Sequence, residues 1–313
     1  MRTERGVALI VVLLVMALVG VVGAEFAYSM RLEASAVRAY KDQILGSHLA
    51  EAAVAQALRE IVGDSAYVTP DEHGLLTFYT SDGLPLPQLP REKVDFGGGQ
   101  YSYRLTDEEA RINLNTSTPD RIDRLLNFCL GLDKSDRDVI GDSLLDWRDA
   151  NEEHRLNGAE SEDFYLKLPL PYRAHNANLE SVTELLQIHG VLEKPAIFYG
   201  TEEGPGLRDV VTVKTGGQTN TPININTASK CAMQALGLSE AEISEIMQSR
   251  SLAPYTTPGR FGTRGFRAKT QTFRIEAQGI VDGRVAARVS AIVQKRPQGT
   301  PPTVAILEWS TPR

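Results

Sequence analysis

Cysteine and histidine are scarce in this sequence, which narrows the chemistry that it can support. Only two Cys and five His occur among 313 residues. Cys129 and Cys231 lie far apart and form no C-x-x-C pair, which argues against a zinc site. The histidines form no H-E-x-x-H motif or catalytic-triad order, and no serine lies in a G-x-S-x-G setting. The sequence therefore does not indicate a metalloprotease or a serine hydrolase.

Basic residues are also in the minority. The chain carries 33 Lys and Arg against 40 Asp and Glu, which gives a formal net charge of −7. A nucleic-acid-binding domain is expected to present a basic face, so this balance argues against a nucleic-acid partner. It is compatible with cation binding. The hydrophobic share of 42% is that of an ordinary globular protein, and the length suggests about two domains.

Charge and proline are both absent from residues 7–24, and Glu25 is the first ionisable residue after them. This length meets the lower bound for a helix that crosses a bilayer, and a helix satisfies its own backbone hydrogen bonds there. Arg2 and Arg5 precede the run, with only Glu4 to offset them. That excess of positive charge predicts a cytoplasmic N-terminus and an exported remainder.

The helical pattern continues beyond the apolar run. Residues 25–61 contain no Pro and a single Gly, Gly46, and their apolar residues recur every three or four positions. The two segments together predict one rod of about 55 residues, on the order of 80 Å long. A cleaved signal peptide ending near Ala24 is the alternative interpretation, and the unbroken helical pattern argues against it.

A short basic leader that ends in Gly6 and runs into this helix resembles the N-terminus of type IV pilins and pseudopilins. In that family a prepilin peptidase cuts after the Gly and methylates the new N-terminus, so the resemblance places processing between Gly6 and Val7. Most members have Phe at the first mature position and Glu at the fifth, which are Val7 and Val11 here. Lack of that Glu is typical of the K-type minor pseudopilins of type II secretion and suits a subunit at the fibre tip.

Patterns typical of β-strands lie at two separate places in the chain. A minority precede residue 107 and most follow residue 270, including a hairpin at Asp282-Gly283. Helical periodicity fills much of the region between. The simplest architecture is an α+β fold in which the long N-terminal helix packs on an antiparallel sheet, with a large all-helical domain inserted between strands.

The predicted divisions are a leader at 1–6, a helix at 7–62 with 7–24 in the membrane, the first part of the sheet at 63–106, a helical domain with an acidic loop at 107–220, a second helical repeat at 221–255 and the C-terminal part of the sheet at 256–313.

The helical region contains an internal repeat. Residues 112–117 read Ile-Asn-Leu-Asn-Thr-Ser and residues 223–228 read Ile-Asn-Ile-Asn-Thr-Ala, and each stretch precedes a helix and then Leu-Gly-Leu. Asn side chains bond to their own backbone two residues on, which suits a turn that leads into a helix. Helix-hairpin-helix DNA-binding modules open in the same way, but each hairpin here has one Gly and acidic residues after it. A turn that stabilises the fold is therefore favoured over DNA binding.

The most specific resemblance to K-type pseudopilins lies in the order of several short segments. They are Leu-Leu-Asp-Trp-Arg-Asp at 144–149, Gly-Ala-Glu at 158–160, Tyr165, Pro-Tyr-Arg at 171–173, Asn176-x-Asn178 and Glu-Leu at 184–185. The resemblance covers essentially the whole chain and implies a pilin fold with a large helical insertion. It implies a non-enzymatic subunit at the pseudopilus tip, which helps to initiate assembly and the export of folded periplasmic proteins.

The same resemblance implies a location and a set of partners. The chain would cross the inner membrane once, with its C-terminal domain in the periplasm. Its partners would be minor pseudopilins of the I and J types, the major pseudopilin fibre and the prepilin peptidase, with no nucleic acid. A tip minor pilin of a type IV pilus is the alternative, ahead of a DNA-binding protein or a periplasmic hydrolase. Export to an oxidising compartment would allow a Cys129–Cys231 disulfide, and two buried free thiols are the other interpretation.

The chain is rich in carboxylates between residues 146 and 163. Oxygen ligands two or three residues apart in a glycine-containing loop suit Ca²⁺, which binds six to eight hard oxygens. The sequence has no full EF-hand consensus, and a solvated acidic surface is the other interpretation. The K-type resemblance implies one or two calcium ions in this domain. It implies five ligands, and Glu162 is the alternative to Asp163 among them. Those ligands are Asp146, Asp149, Asn151, Glu160 and Asp163.

Overall fold

The computed structural model describes residues 4–63, 65–71, 73–202, 204–216, 219–296 and 303–311, with side chains from residue 8 onward. It confirms the expected α+β fold, in which a long N-terminal helix packs on an antiparallel sheet with a mainly helical insertion. Residues 1–3 of the expected leader lie outside the described part. The backbone of the expected processing site at Gly6 and Val7 falls within the first helix. The side chains of this site are outside the described part of the structure.

The helices and strands of the described residues are as follows. The α-helices are α1 (Glu4–Val62), α2 (Pro119–Leu130), α3 (Lys134–Arg148), α4 (Ala196–Tyr199), α5 (Leu207–Val210), α6 (Lys230–Ala235) and α7 (Glu240–Leu252). The strands are β1 (Tyr67–Pro70), β2 (Leu76–Tyr79), β3 (Val94–Phe96), β4 (Gly99–Asp107), β5 (Ile112–Asn113), β6 (Val211–Thr212), β7 (Ile223–Asn224), β8 (Phe266–Arg267), β9 (Thr272–Val281), β10 (Arg284–Arg296) and β11 (Thr303–Ser310).

Helix α1 has two parts with different surroundings. Its N-terminal part contains an 18-residue window with a mean hydropathy of 2.7, and none of the residues in that window is buried. This part is long and apolar enough to cross a membrane. Its C-terminal part buries a stripe that includes Leu49, Ala53, Ala57 and Ile61. The four-residue spacing places these side chains on one face of the helix. Among the described residues, the helix therefore packs against the rest of the protein through its C-terminal part.

The main sheet has five strands in the order β11-β10-β9-β4-β3, and each neighbouring pair is antiparallel. Strands β9 and β10 form the expected hairpin, in which Asp282 and Gly283 both have positive φ. Along β9, Phe273, Ile275 and Ala277 are buried on alternate positions. Strand β4 pairs with β9 across more than 160 residues of chain, so the two predicted groups of strands form one sheet.

Two glycines bring α1 into direct backbone contact with the sheet. A Cβ on Gly279 of β9 would overlap the carbonyl oxygen of Gly46 in α1. A Cβ on Gly46 would come within 2.6 Å of the Cβ of Ala286. Glycine at both positions therefore allows an approach that no other residue would permit.

A buried ion pair holds the C-terminal end of α1. The Nε of Arg91 donates to Oε2 of Glu60 at 3.1 Å, and the hydroxyl of Tyr103 in β4 donates to the same oxygen at 3.0 Å. The side chains of Glu60 and Arg91 are 7% and 6% exposed. Because a buried charge is costly without its partners, this network fixes the helix end relative to β4.

Asp107, at the end of β4, joins the sheet to the inserted domain. Its Oδ1 accepts hydrogen bonds from the backbone N–H of Glu109 at 2.8 Å and the hydroxyl of Thr270 at 2.6 Å. Its Oδ2 accepts from Nδ2 of Asn224 at 2.7 Å and the hydroxyl of Thr227 at 2.5 Å. Burial raises the pKa of Asp107, and these four donors counter that effect.

The inserted domain is mainly helical and also contains two short parallel strand pairs, β5 with β6 and β7 with β8. The C-terminal part of the sheet begins at Thr272 instead of residue 256. Residues 256–271 include a 3-10 helix, Gly259–Arg264, and strand β8, which pairs with β7. This segment belongs to the inserted domain because its strand completes the second repeat.

We expect Gly279→Ala to lower the free energy of unfolding by about 1–3 kcal/mol, because the new methyl group would overlap the backbone of α1. Urea unfolding of residues 26–313 measures this, and these residues include every described member of both apolar cores. Gly141→Ala in α3 is the control. Its Cβ would meet only Ile122, at 4.0 Å, so a gain of about 0.5–1 kcal/mol is expected. Unchanged stability of Gly279→Ala would contradict the close contact.

Candidate functional site

The acidic loop, residues 149–165, is held at its two ends by aromatic packing. Trp147, in the last turn of α3, meets Tyr165 edge to face, with ring centroids 5.2 Å apart. Both side chains are buried, and Nε1 of Trp147 lies 3.3 Å from a carboxylate oxygen of Glu184. This packing brings the start and the end of the loop together.

Arg155 connects two of the predicted calcium ligands. Its backbone N–H donates to Oδ2 of Asp146 at 3.0 Å, and its Nη1 bonds to Oδ1 of Asp146 and, at 2.9 Å, to Oδ2 of Asp149. Gly158 makes room for this arrangement, since a Cβ there would overlap Oδ2 of Asp146. Burial raises the pKa of Asp146, while the bonds from Arg155 act in the opposite direction.

Glu160 is buried without a compensating partner. Its side chain is 1% exposed, and within the described residues neither of its carboxylate oxygens has a hydrogen-bond partner. A buried ionised carboxylate is costly unless a proton or a cation compensates its charge. The pKa of Glu160 is raised to about 7, mainly by burial. The negative charges of nearby acids also raise this pKa; in decreasing order of effect they are Asp146, Glu152, Asp149 and Asp163.

Asn151 shapes the start of the loop. Its Nδ2 donates to Oδ1 of Asp149 at 2.6 Å, and its own Oδ1 accepts the backbone N–H of Glu153 at 2.8 Å. The side chain is exposed. In this arrangement the amide oxygen of Asn151 supports the loop backbone.

Asp163 supports the end of the loop. Its Oδ1 accepts the backbone N–H of Glu160 at 3.0 Å. The neighbouring Glu162 is 74% exposed and forms an ion pair with Arg173 at 3.3 Å. Of these two acids, Asp163 is therefore the one that contacts the segment carrying Glu160.

The predicted ligands do not converge on a single point in this arrangement. Over the ranges that the structure covers, no group of three or more His, Cys, Asp or Glu side chains is placed to share a metal ion. Asp146 and Asp149 meet at Arg155, and the charge of Glu160 interacts with both of them. The carboxylate and amide oxygens are the donors that Ca²⁺ prefers, so the donor chemistry fits this ion.

Sequence reasoning missed two residues of this region. Arg155 is the single Lys or Arg between residues 149 and 163, and this isolated basic residue in an acidic stretch was the available signal. Glu152 accepts hydrogen bonds from the backbone N–H and the hydroxyl of Ser161, at 3.3 and 3.2 Å, and from Asn176 at 3.0 Å. Glu152 therefore closes the loop on itself.

The two Asn-x-Asn units form equivalent turns, as their spacing predicted. Oδ1 of Asn113 accepts the backbone N–H of Asn115 at 2.8 Å, and Oδ1 of Asn224 accepts that of Asn226 at 3.0 Å. These bonds between a side chain and the backbone two residues on confirm the interpretation as fold-stabilising turns.

The second Asn of each unit binds a distant part of the backbone. Asn115 donates to the carbonyl of Leu179 and accepts its N–H, both at 2.9 Å. Asn226 donates to the carbonyl of Tyr255 at 3.0 Å and accepts its N–H at 2.7 Å. The repeat therefore fixes the segments that follow each helical pair.

A disulfide bond between Cys129 of α2 and Cys231 of α6 joins the two repeats. Beside it, Nε of Arg124 donates to the carbonyl of Ala235 at 3.0 Å. The two cysteines are 102 residues apart in the sequence. In the chain-entropy account, closing a loop of this length stabilises the folded state by about 4–5 kcal/mol.

Comparison with known proteins gives consistent results. Residues 105–195 match the family model described as type II secretion system (T2SS), protein K. A type II secretion system protein K from Pseudomonas aeruginosa is 29% identical over 254 residues, which cover 75% of this chain and 68% of that protein. One from Pectobacterium carotovorum subsp. carotovorum is 28% identical over 116 residues, covering 33% of this chain and 35% of that protein.

The fold also resembles a solved structure. One chain of the crystal structure of the GspK-GspI-GspJ complex from the enterotoxigenic Escherichia coli type 2 secretion system superposes with a TM-score of 0.52 at 16% identity, covering 72% of this chain and 84% of that one. These matches favour type II secretion over a type IV pilus. The family model, the relatives and the fold together support a type II secretion protein K, a minor pseudopilin, for this chain.

Proposed function

We propose that this minor pseudopilin lies at the tip of the pseudopilus, where it helps to initiate assembly and the export of folded periplasmic proteins. The observation that carries the proposal is the lack of any ionisable residue from Val7 to Ala24, with Val11 at the fifth mature position. A carboxylate inside a membrane is expensive unless it is paired. A subunit without one cannot pair with the terminal amine of a neighbour, so it suits the end of the fibre.

The exposed part of α1 supports packing among other pseudopilin helices. Apolar side chains remain exposed beyond the membrane-spanning stretch, from Phe26 at 67% to Ile44 at 42%. Several exposed large apolar side chains along one helix are typical of an interaction site. The fold similarity to a chain of the GspK-GspI-GspJ complex supports minor pseudopilins of the I and J types as partners. The major pseudopilin fibre would lie below them.

The proposed location is the inner membrane, with the N-terminus in the cytoplasm and the folded part in the periplasm. The apolar helix and the positive charge that precedes it support this orientation. A periplasmic location is also consistent with the disulfide. The chain is proposed to have no enzymatic activity, because its sequence carries no recognised catalytic motif.

Calcium binding at the acidic loop is part of the proposal. Asp146, Asp149 and Glu160 would supply carboxylates, with Asn151 and Asp163 as further oxygen ligands. The support is the buried carboxylate of Glu160, whose two oxygens have no partner among the described residues. A bound Ca²⁺ would supply two positive charges and link the loop to the end of α3. Without it, several like charges lie close together.

The first prediction concerns processing. The mature chain is expected to begin with a methylated Val7, because Gly6 has no side chain to obstruct the peptidase beside the membrane. Mass spectrometry of the protein from native membranes measures this. Gly6→Val is expected to retain the leader, and Gly20→Val is a control that leaves the cut site intact. Cleavage after Ala24 in the native protein would contradict the pilin assignment.

The second prediction concerns assembly. Expressed alone in membranes that contain the prepilin peptidase, the chain is expected to form no filaments, since Val11 offers no carboxylate for subunit pairing. Co-expression with the I and J minor pseudopilins should recover a stable complex by affinity purification. The major pseudopilin, expressed under the same conditions, is the positive control for polymerisation. Homopolymeric filaments of this chain would refute the tip assignment.

The third prediction concerns metal. Calcium at about 100 times its dissociation constant should stabilise the fold by about 2.7 kcal/mol relative to chelator. Thermal melting of residues 26–313 measures the difference. Glu160→Gln removes the charge and keeps the shape, so it should shrink the shift, whereas Glu245→Gln on the exposed face of α7 should leave it unchanged. The shift should also weaken at acid pH because the ligands must be deprotonated.

Two results together would contradict the metal proposal. One is equal melting temperatures of the wild type in calcium and in chelator. The other is an Asp149→Ala variant that is indistinguishable from wild type in both solutions. The acidic loop would then be a solvated surface.

A further inference from the structure

We propose that Arg155 is an internal competitor for calcium: its guanidinium bonds to both Asp146 and Asp149 and offsets part of their charge, and an incoming ion must displace it. The inference rests on the calcium site proposed above and adds what regulates that site. It assigns to Arg155 a role that sets the affinity of the loop for a divalent cation.

Arg155 is placed to leave the site, whereas its partners are not. Its side chain is 40% exposed, while that of Asp146 is fully buried and that of Asp149 is 26% exposed. The backbone N–H of Arg155 bonds to Asp146 independently of the guanidinium. A long, flexible side chain can therefore turn to solvent while the loop keeps its anchor, because the guanidinium is well hydrated outside.

The charges explain why a divalent ion would replace the guanidinium. Arg155 brings one positive charge to a region with three carboxylates, and the described bonds of its guanidinium reach two of them, Asp146 and Asp149. The two oxygens of Glu160 have no partner in the described structure. Ca²⁺ brings two charges and accepts six to eight oxygens, so it can serve all three carboxylates. With all three acids ionised, their net charge with the cation changes from −2 with Arg155 to −1 with Ca²⁺.

The need to displace the guanidinium of Arg155 lowers the affinity of these oxygens for calcium. Each calcium ion that binds must first break the charged hydrogen bonds between Arg155 and two aspartates. Such bonds are among the stronger ones in proteins, so their loss subtracts from the binding free energy. Removal of the guanidinium should therefore tighten calcium binding, whereas removal of a true ligand weakens it.

The test is calorimetric titration of calcium chloride into the full chain in detergent at physiological salt. Arg155→Gln is expected to bind calcium about tenfold more tightly than wild type, because the competing charged hydrogen bonds are gone. Glu160→Gln should bind more weakly than wild type. Arg155→Lys keeps a charge but loses the planar fork, so its affinity should fall between those of wild type and Arg155→Gln.

Arg173→Gln is the matched control. It removes the same charge from the same part of the chain, but Arg173 pairs with Glu162, and both side chains are mostly exposed. At physiological salt such exposed charges are screened beyond about 8 Å. Its calcium affinity should therefore equal that of wild type. An equal gain in calcium affinity in Arg155→Gln and Arg173→Gln would overturn the proposal. It would show that the overall electrostatic potential of the loop sets the affinity, and not the bonds of Arg155 to two aspartates.

Thermal melting gives a second readout that does not depend on calorimetry. In chelator, Arg155→Gln should melt below wild type because Asp146 is left buried without its counter-charge. In saturating calcium the two should melt together. If the variant folds only with calcium, it is purified with the ion, and its affinity is obtained by competition with a chelator of known affinity.

The outcomes separate this inference from the calcium proposal itself. Equal calcium affinity of wild type and Arg155→Gln would overturn the role of Arg155 and leave the calcium site standing. Binding by Arg155→Gln alone would support the competition and overturn calcium binding by the natural chain. Binding by neither would overturn both.

Discussion

The backbone contact between Gly46 of α1 and Gly279 of β9 is the constraint on which the rest of the architecture depends. It allows the helix to lie directly on the central strand of the sheet, and it marks the point where α1 changes from an exposed rod to a packed core element. The Glu60–Arg91 pair fixes the far end of the same helix. Together the two contacts determine how the exposed apolar stretch of α1 is presented relative to the folded domain.

A second set of polar contacts determines where the inserted domain lies. Asp107 ends β4, and three of its four hydrogen bonds are long-range: Asn224 and Thr227 belong to the second repeat, and Thr270 lies in the chain that returns to β9. The disulfide then holds the two repeats to each other. Because a buried carboxylate requires its donors in place, the insertion is attached to the sheet by a specific geometry as well as by apolar contact.

The acidic loop shows how far residue types predict a site. Its composition left cation binding and a solvated acidic surface both open, and the K-type resemblance favoured calcium at Asp146, Asp149, Asn151, Glu160 and Asp163, which stays a prediction. Neither revealed that Arg155 bonds to two of these acids, or that Glu160 is buried without a partner. Both features depend on how the chain folds back after α3, where Gly158 permits a close approach that the one-dimensional pattern does not encode.

The sequence by itself determined the long N-terminal helix, the two groups of strands, the β9–β10 hairpin and the Asn-x-Asn turns, because each of these follows from local periodicity or from hydrogen bonds between near neighbours. Only the tertiary structure decided that residues 256–271 belong to the inserted domain, since β8 is defined by its pairing with β7. It also decided the pairing of Cys129 with Cys231 and the position of Arg155 between two aspartates. These contacts join residues that only the packed fold brings together, so no local pattern in the chain specifies them.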